Sequence, residues 1–152
     1  MGWNRFELDK HAQEIVLAAR QRDRTARQTG TDSKFSSLNQ AHKMRTTCAF
    51  GLERFWGEHL RLKGSANESD RIKADFIADT WKALTLKILP TAGIHLPSEV
   101  LPNDRDEDTI RAVSAKIWKL DNYDRVVALA VLTNLCDAIV WWTQRLKTSR
   151  EG

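Results

Sequence analysis

The sequence predicts an all-α fold, a single-domain bundle of five or more helices. The 152 residues include only 7 glycines and 3 prolines, too few for the many turns of an all-β fold. Apolar residues recur at helical spacing over long segments, and no segment alternates as a half-buried strand does. One domain of this length, residues 1–152, buries roughly 70% of its unfolded surface.

The first helix is predicted over about residues 7–27. Its apolar stripe consists of Phe6, Ala12, Ile15, Val16 and Ala19. Gly30, within the polar stretch 29–33, ends the helix.

The second helix is predicted over residues 37–63, with a cap at Ser36 or Ser37 and a terminating Gly64. The third is predicted over residues 69–89, capped by its first residue and stopped by Pro90. Apolar positions at helical spacing mark the buried side of both helices.

Residues 90–105 contain all three prolines and are predicted to form an exposed irregular loop. An acidic run over residues 104–108 then opens a fourth helix, which ends near Leu120, because acids complement the dipole at a helix N-terminus. A fifth helix is predicted from Asp121 or Asn122 to about Lys147. It is apolar nearly all round over residues 126–132, which is typical of the buried centre of a bundle.

The net positive charge is concentrated in the N-terminal part of the chain. The chain has 24 Lys/Arg and 20 Asp/Glu. Residues 1–63 contain 12 of the basic and 7 of the acidic residues, a net charge of +5. The remaining residues contain 12 basic and 13 acidic residues, a net charge of −1.

Residues 20–27 contain four arginines and one acid. Arg20, Arg24 and Arg27 stand at i, i+4 and i+7 and therefore share one helix face. Because guanidinium groups bind phosphate well, this face is a candidate nucleic-acid contact. The alternative interpretation is a solvated face without a ligand, whose cations are favoured by the dipole at the helix C-terminus.

Further cations of the second helix extend this basic face. Lys43, Arg45 and Arg54 lie away from its main apolar stripe. The candidate RNA-binding residues are therefore Arg20, Arg24, Arg27, Lys34, Lys43, Arg45 and Arg54. They form one surface if the first two helices pack antiparallel, and such a surface would contact phosphates without reading bases.

Motifs that carry catalysis are missing from the sequence. His11 and Glu14 stand at i, i+3 but have no second pair of metal-ligand type. There is no glycine-rich phosphate loop and no nucleophile elbow. Cys48 and His42 point to different helix faces, so core packing is the better interpretation of this cysteine. The sequence predicts no enzyme, no metal and no cofactor.

Cys48 and Cys136 are both predicted on apolar helix faces, as buried thiols, with a disulfide left open. Trp56, Trp81 and Trp118 fall on apolar stripes and are predicted in the core. Trp141 and Trp142 are adjacent and point about 100° apart on a helix. One of these two is predicted to be partly exposed, as at a protein interface.

The expected location is the cytoplasm. The N-terminal residues lack the apolar segment of a signal peptide. Residues 126–142 are apolar but include three polar side chains, and their number is small for a membrane span. No membrane association is therefore predicted.

The order of features from the second helix onward resembles the small helical subunit of the Cmr-type (type III-B) CRISPR effector complex. The matching features are Phe35-Ser-Ser-Leu, Lys43-Met44, Gly51-Leu52, Phe55-Trp56, Lys63-Gly64-Ser65-Ala66, Asn122-Tyr123-Asp124-Arg125 and Trp141-Trp142-Thr-Gln-Arg145-Leu146. Phe50 stands where the family pattern has asparagine before Gly-Leu. The chain also resembles what a divergent small subunit of a related type III complex would look like, and such a subunit would account for this departure.

The resemblance implies a non-catalytic subunit of an antiviral ribonucleoprotein. Copies would stack head to tail with one another and with other effector subunits, and their basic side chains would contact guide and target RNA. Guide pairing, rather than this chain, would read the sequence. The alternative is a helical protein–protein interaction module that binds no nucleic acid.

Overall fold

The computed structural model describes residues 6–30 and 35–146, and this part of the chain contains six α-helices and no strand. The helices are α1 (Leu8–Thr29), α2 (Gln40–Thr47), α3 (Leu52–Lys63), α4 (Glu68–Lys82), α5 (Glu107–Trp118) and α6 (Asn122–Leu146). The all-α bundle predicted from the sequence is confirmed. Buried apolar side chains from all six helices form one core.

Helix α6 is the element against which the first two helices pack. α1 lies mainly on α6 and then on α4, and α2 also lies on α6. The prediction that residues 126–132 are buried all round is wrong, because Val126 is 67% exposed and Ala130 also faces solvent. Val126 and Ala130 line an open groove beside the first turn of α1.

Length does not argue against a membrane span, contrary to the sequence prediction. By length and composition alone α6, with 25 residues, is suited to cross a bilayer. The core helix of a soluble bundle meets the same criterion, and 39% of the most apolar window of α6 is buried inside this fold.

The predicted second helix is in fact two helices. α2 ends at Thr47, a 3₁₀ turn covers Cys48–Phe50, and α3 begins after Gly51. Gly51 has φ 102° and ψ 173°, a conformation open essentially only to glycine. The glycine therefore breaks the helix within an otherwise continuous helical pattern.

Helix α4 continues beyond its regular part. A π-helical segment covers Ala83–Ile88, and a 3₁₀ turn covers Leu89–Ala92 and contains Pro90. The cap is not Ser69, as predicted, but Asn67, whose side-chain oxygen accepts from the Ser69 backbone nitrogen.

The proline-containing loop is irregular, as predicted, but it is only partly exposed, because three of its residues are buried and its backbone is anchored to α3 and α4. Trp56 Nε1 donates to the carbonyl oxygen of Glu99 at 2.8 Å, and Trp81 Nε1 donates to that of Pro97 at 2.9 Å. His59 Nε2 accepts from the Leu101 backbone nitrogen at 3.0 Å. Ile94 and Leu96 of this segment are also buried. Three buried side chains thus satisfy the backbone of a segment that lacks regular hydrogen bonds.

The last two helices begin with the acidic caps expected of them. Asp106 accepts hydrogen bonds from the backbone nitrogen and hydroxyl of Thr109 at the start of α5. Asp121 accepts from the Asp124 backbone nitrogen at 2.8 Å at the start of α6. The acidic run therefore has a structural function as N-caps.

Candidate nucleic-acid interface

The arginines of α1 share one continuous helix, as predicted, but they differ in what they contact. Arg24 is exposed, and its guanidinium reaches the side chain of Gln21 at 3.4 Å. Arg20 is half-buried and engaged in contacts within the protein. Arg27 donates from NH1 to the carbonyl oxygen of Phe35 at 2.6 Å. Of these three guanidinium groups, that of Arg24 is the most open to a ligand.

The fourth arginine of the run joins α1 to α4. Arg22 NH1 lies 2.7 Å from Asp79 Oδ2, and both side chains are about two-thirds covered. Near the other end of α1, His11 and Lys87 line the same groove. The two helices therefore run antiparallel, and Arg22 serves their packing rather than a surface site.

A buried carboxylate connects α1 to the beginning of α2. Asp23 is 1% exposed, and its Oδ2 accepts from the backbone nitrogen of Ser37 at 2.9 Å and from its hydroxyl at 3.1 Å. Burial raises the pKa of Asp23, although the hydrogen bonds from Ser37 and the neighbouring Arg27 oppose that rise. This contact fixes the basic end of α1 next to the segment that leads into α2.

On α2, one predicted cation is exposed and the other is neutralised. Lys43 is exposed, and no acidic side chain of the described residues forms an ion pair with it. Arg45 Nε lies 2.6 Å from Asp137 Oδ1 on α6. The hydrogen bond that Arg45 donates to this carboxylate raises the pKa of Arg45. Arg45 is therefore neutralised by Asp137, and it is a weaker candidate for phosphate contact.

Arg54 lies on α3 rather than on the helix of Lys43, because Gly51 separates the two. Its side chain is exposed, and its guanidinium carbon lies 5.9 Å from the ring centroid of Phe50. Phe50 itself is 60% exposed. A cation and an aromatic ring are therefore presented side by side at the helix break.

The predicted basic surface is smaller than the sequence suggests. Its open members are Arg24, Lys43 and Arg54, here called the exposed cation set, while Arg20 is half-buried. The condition that the first two helices pack antiparallel is not met, because within the described residues both pack mainly on α6, and the Asp23–Ser37 contact links the later part of α1 to the segment before α2. Lys34 lies outside the described residues.

The exposed aromatics form a second feature, only part of which the sequence indicates. Trp56 and Trp81 are buried as predicted, but Trp118 is 60% exposed because it is the last residue of α5. Trp141 is 45% exposed, which confirms that one of the tryptophan pair is open. Tyr123, at 77%, was not anticipated, although its polar neighbours in the sequence are a signal of exposure.

Within residues 6–30 and 35–146, no three side chains of metal-ligand type come together. His11 and Glu14 line an open groove with Lys82 and Lys87. Burial, and then Lys87, lower the pKa of His11. The groove presents both signs of charge on its walls, without a nucleophile.

Comparison of the chain with protein families, with curated proteins and with solved structures finds no match.

Proposed function

We propose that this protein is a non-catalytic RNA-contacting subunit, similar in role to the small subunit of a type III CRISPR effector complex. The observation that supports the proposal is the exposed cation set. Arg24, Lys43 and Arg54 extend from three successive helices, and no ion pair within the described residues neutralises them. Guanidinium and ammonium groups that are left open to solvent suit the phosphate oxygens of a nucleic-acid backbone.

The proposed binding does not depend on base sequence. Phosphate contacts position a protein on a strand and carry no base information, so guide pairing supplies the specificity. Phe50, exposed beside Arg54, offers an aromatic face on which an unpaired base of the target strand can stack. In this proposal the protein resides in the cytoplasm with the other effector subunits, and its partners are guide RNA, target RNA and further copies of itself.

A protein-interaction module that binds no RNA is the second candidate function. The exposed Trp118 and Tyr123, which lie at the junction of α5 and α6, favour it. Aromatic residues are enriched where proteins meet. Head-to-tail stacking of subunits would use such a surface as well, so the aromatics alone do not separate the two candidates.

A binding measurement with a matched control separates them. Fluorescence anisotropy with a labelled single-stranded RNA at low salt compares the wild type with R24A/K43A/R54A and with R111A/K116A/K119A. Both triple variants remove three exposed cations, and the second set lies on and just after α5. We expect at least about a tenfold loss of affinity for the first variant and less than about threefold for the second. Equal losses in both, or no RNA binding by the wild type, would overturn the proposal.

A further inference from the structure

The two cysteines meet in the core. Cys48 lies in the 3₁₀ turn between α2 and α3, and Cys136 lies in the middle of α6. Their Sγ atoms are 3.6 Å apart, although the residues are 88 positions apart in the chain. Their side chains are 1% and 0% exposed, and both are free thiols. Neither has a part in the proposed RNA contact.

The distance between the sulfurs is short enough for a bond to form with a small local shift. A disulfide has an S–S length of about 2.05 Å, so the 3.6 Å separation must shorten by roughly 1.5 Å. Cys136 is held in a regular helix, whereas Cys48 belongs to a three-residue turn that precedes Gly51. The turn is the element that can move, because it stands at a break between two helices rather than inside one.

The surroundings of the two thiols make them chemically unequal. The hydrogen bond with Cys136 lowers the pKa of Cys48 against the effect of burial, and the Thr133 hydroxyl and Arg45 lower it further. The hydrogen bond with Cys48, together with burial, raises the pKa of Cys136. Asp137, which is ion-paired to Arg45, is the nearby acid that opposes thiolate formation. Of the two sulfurs, Cys48 is therefore the one that ionises more readily.

We propose that Cys48 and Cys136 are a redox-active dithiol that closes into an intramolecular disulfide. The oxidant is a low-molecular-weight disulfide such as glutathione disulfide, admitted by local opening of the 3₁₀ turn. The Cys48 thiolate attacks one sulfur of the oxidant, forms a mixed disulfide and releases one thiolate. Cys136 gives its proton to that thiolate and attacks Cys48 Sγ, which expels the second thiolate. Two electrons pass to the oxidant, and the second thiolate takes up from solvent the proton that Cys48 released on ionisation, so that two reduced thiol molecules result.

Closure of this disulfide fixes the break between α2 and α3 to the middle of α6. The bond encloses most of the chain, because residues 48 and 136 are 88 positions apart. A long enclosed loop restricts the unfolded chain strongly, so the oxidised protein is more stable than the reduced one when the native geometry accepts the bond. RNA binding does not enter this reasoning, so the inference and the proposed function can fail separately.

The test equilibrates the full chain in buffers of varied ratio of reduced to oxidised glutathione, in native buffer and in urea. Intact mass and peptide mapping should show the loss of two hydrogen atoms and a Cys48–Cys136 bond. The glutathione ratio at half-oxidation gives an effective thiol concentration, which we expect to be roughly 30-fold or more higher in native buffer than in urea. The thermal midpoint of the oxidised protein should rise by roughly 5–15 °C. An equal or lower effective concentration in native buffer, or a glutathione adduct as the stable product, would overturn the inference.

Single variants test the assignment of the two sulfurs. The variant C136S keeps the attacking thiol, Cys48, whereas C48S keeps only Cys136. The rate at which a glutathione adduct forms should therefore be higher in C136S than in C48S. The reverse order would contradict the role assigned to Cys48. If either variant fails to fold, the comparison of native buffer with urea in the wild type still decides whether the dithiol closes in the fold.

Discussion

The indole Nε1 of Trp81 donates a hydrogen bond to the backbone carbonyl oxygen of Pro97 at a distance of 2.9 Å. Trp81 is fully buried, and it attaches the proline-containing loop to the end of α4. Pro97 is also buried, so its carbonyl has no access to bulk water when the indole is removed.

Replacement of Trp81 by phenylalanine should therefore be costly. The variant W81F leaves a buried carbonyl unsatisfied and a smaller ring in a packed site, for which we expect a loss of about 2–4 kcal/mol in the free energy of unfolding. Urea denaturation measures this loss. W118F is the matched control, since Trp118 is 60% exposed, and it should change stability by less than about 0.5 kcal/mol. Equal stability of the two variants would show that the indole does not hold the loop.

The pH dependence of stability should report on His59. Its Nδ1 donates to the carbonyl oxygen of Trp56, while Nε2 accepts from the Leu101 nitrogen, so the buried ring is neutral with its proton on Nδ1. Burial lowers the pKa of His59 below 6.5. Between the folded pKa and 6.5 the unfolded chain binds more protons, so stability is fully present above 6.5 and falls as the pH drops through this window.

Denaturation midpoints measured from pH 8 to pH 5 test this expectation. H59Q should be less stable at pH 8 and should show a shallower decline on acidification. H11Q is the control, because the pKa of His11 is also lowered but that residue is only half-buried. If H59Q keeps the full decline and H11Q loses it, another group is responsible for the pH dependence.

Most of the helices could be predicted from the sequence, because helical periodicity and caps are local signals. The acidic caps Asp106 and Asp121 illustrate this, since each contacts a residue three positions along the chain. The break at Gly51 was missed because a single glycine in an apolar-periodic segment is compatible with a continuous helix. Whether it bends the chain depends on the backbone conformation, which periodicity does not determine.

The candidate site was less predictable than the fold, because its charges depend on partners that are distant in the chain. Arg45 and Asp137 are 92 positions apart, and Arg22 and Asp79 are 57 apart. The sequence identifies the cations but not the carboxylates that neutralise them. The partial burial of the loop over residues 90–105 was missed for the same reason, since the tryptophan and histidine side chains that bind it come from α3 and α4.

Substitution of two glycines should separate backbone strain from helix propensity. In G51A the side chain must adopt φ 102°, so we expect a loss of about 1–3 kcal/mol. Gly57 lies inside α3, and a methyl group added there meets no atom within 4 Å. G57A should therefore gain about 0.5–1 kcal/mol from the better helix propensity of alanine. Chemical denaturation of both variants measures the difference, and two changes of the same sign would contradict it.

The contact between Asp23 and Ser37 should depend on hydrogen bonding more than on charge. D23A leaves the buried Ser37 nitrogen without an acceptor, so we expect a loss of about 2–3 kcal/mol. D23N keeps an oxygen at the same position and removes a charge that burial disfavours, as the raised pKa of Asp23 indicates. It should cost less than D23A by about 1–2 kcal/mol. Equal losses, measured by denaturation at pH 7, would mean that the charge itself is required.

The salt dependence of RNA binding should count the phosphate contacts made by the exposed cation set. For single strands, each neutralised phosphate contributes about −0.7 to the slope of log K against log salt concentration, so removal of Arg24, Lys43 and Arg54 should make the slope shallower by about 2. Anisotropy titrations of R24A/K43A/R54A over a salt series measure this change. R45A should alter the slope by less than any one of these three, because Asp137 already neutralises Arg45. A larger effect of R45A would mean that RNA displaces Asp137 and that the basic surface extends to α6.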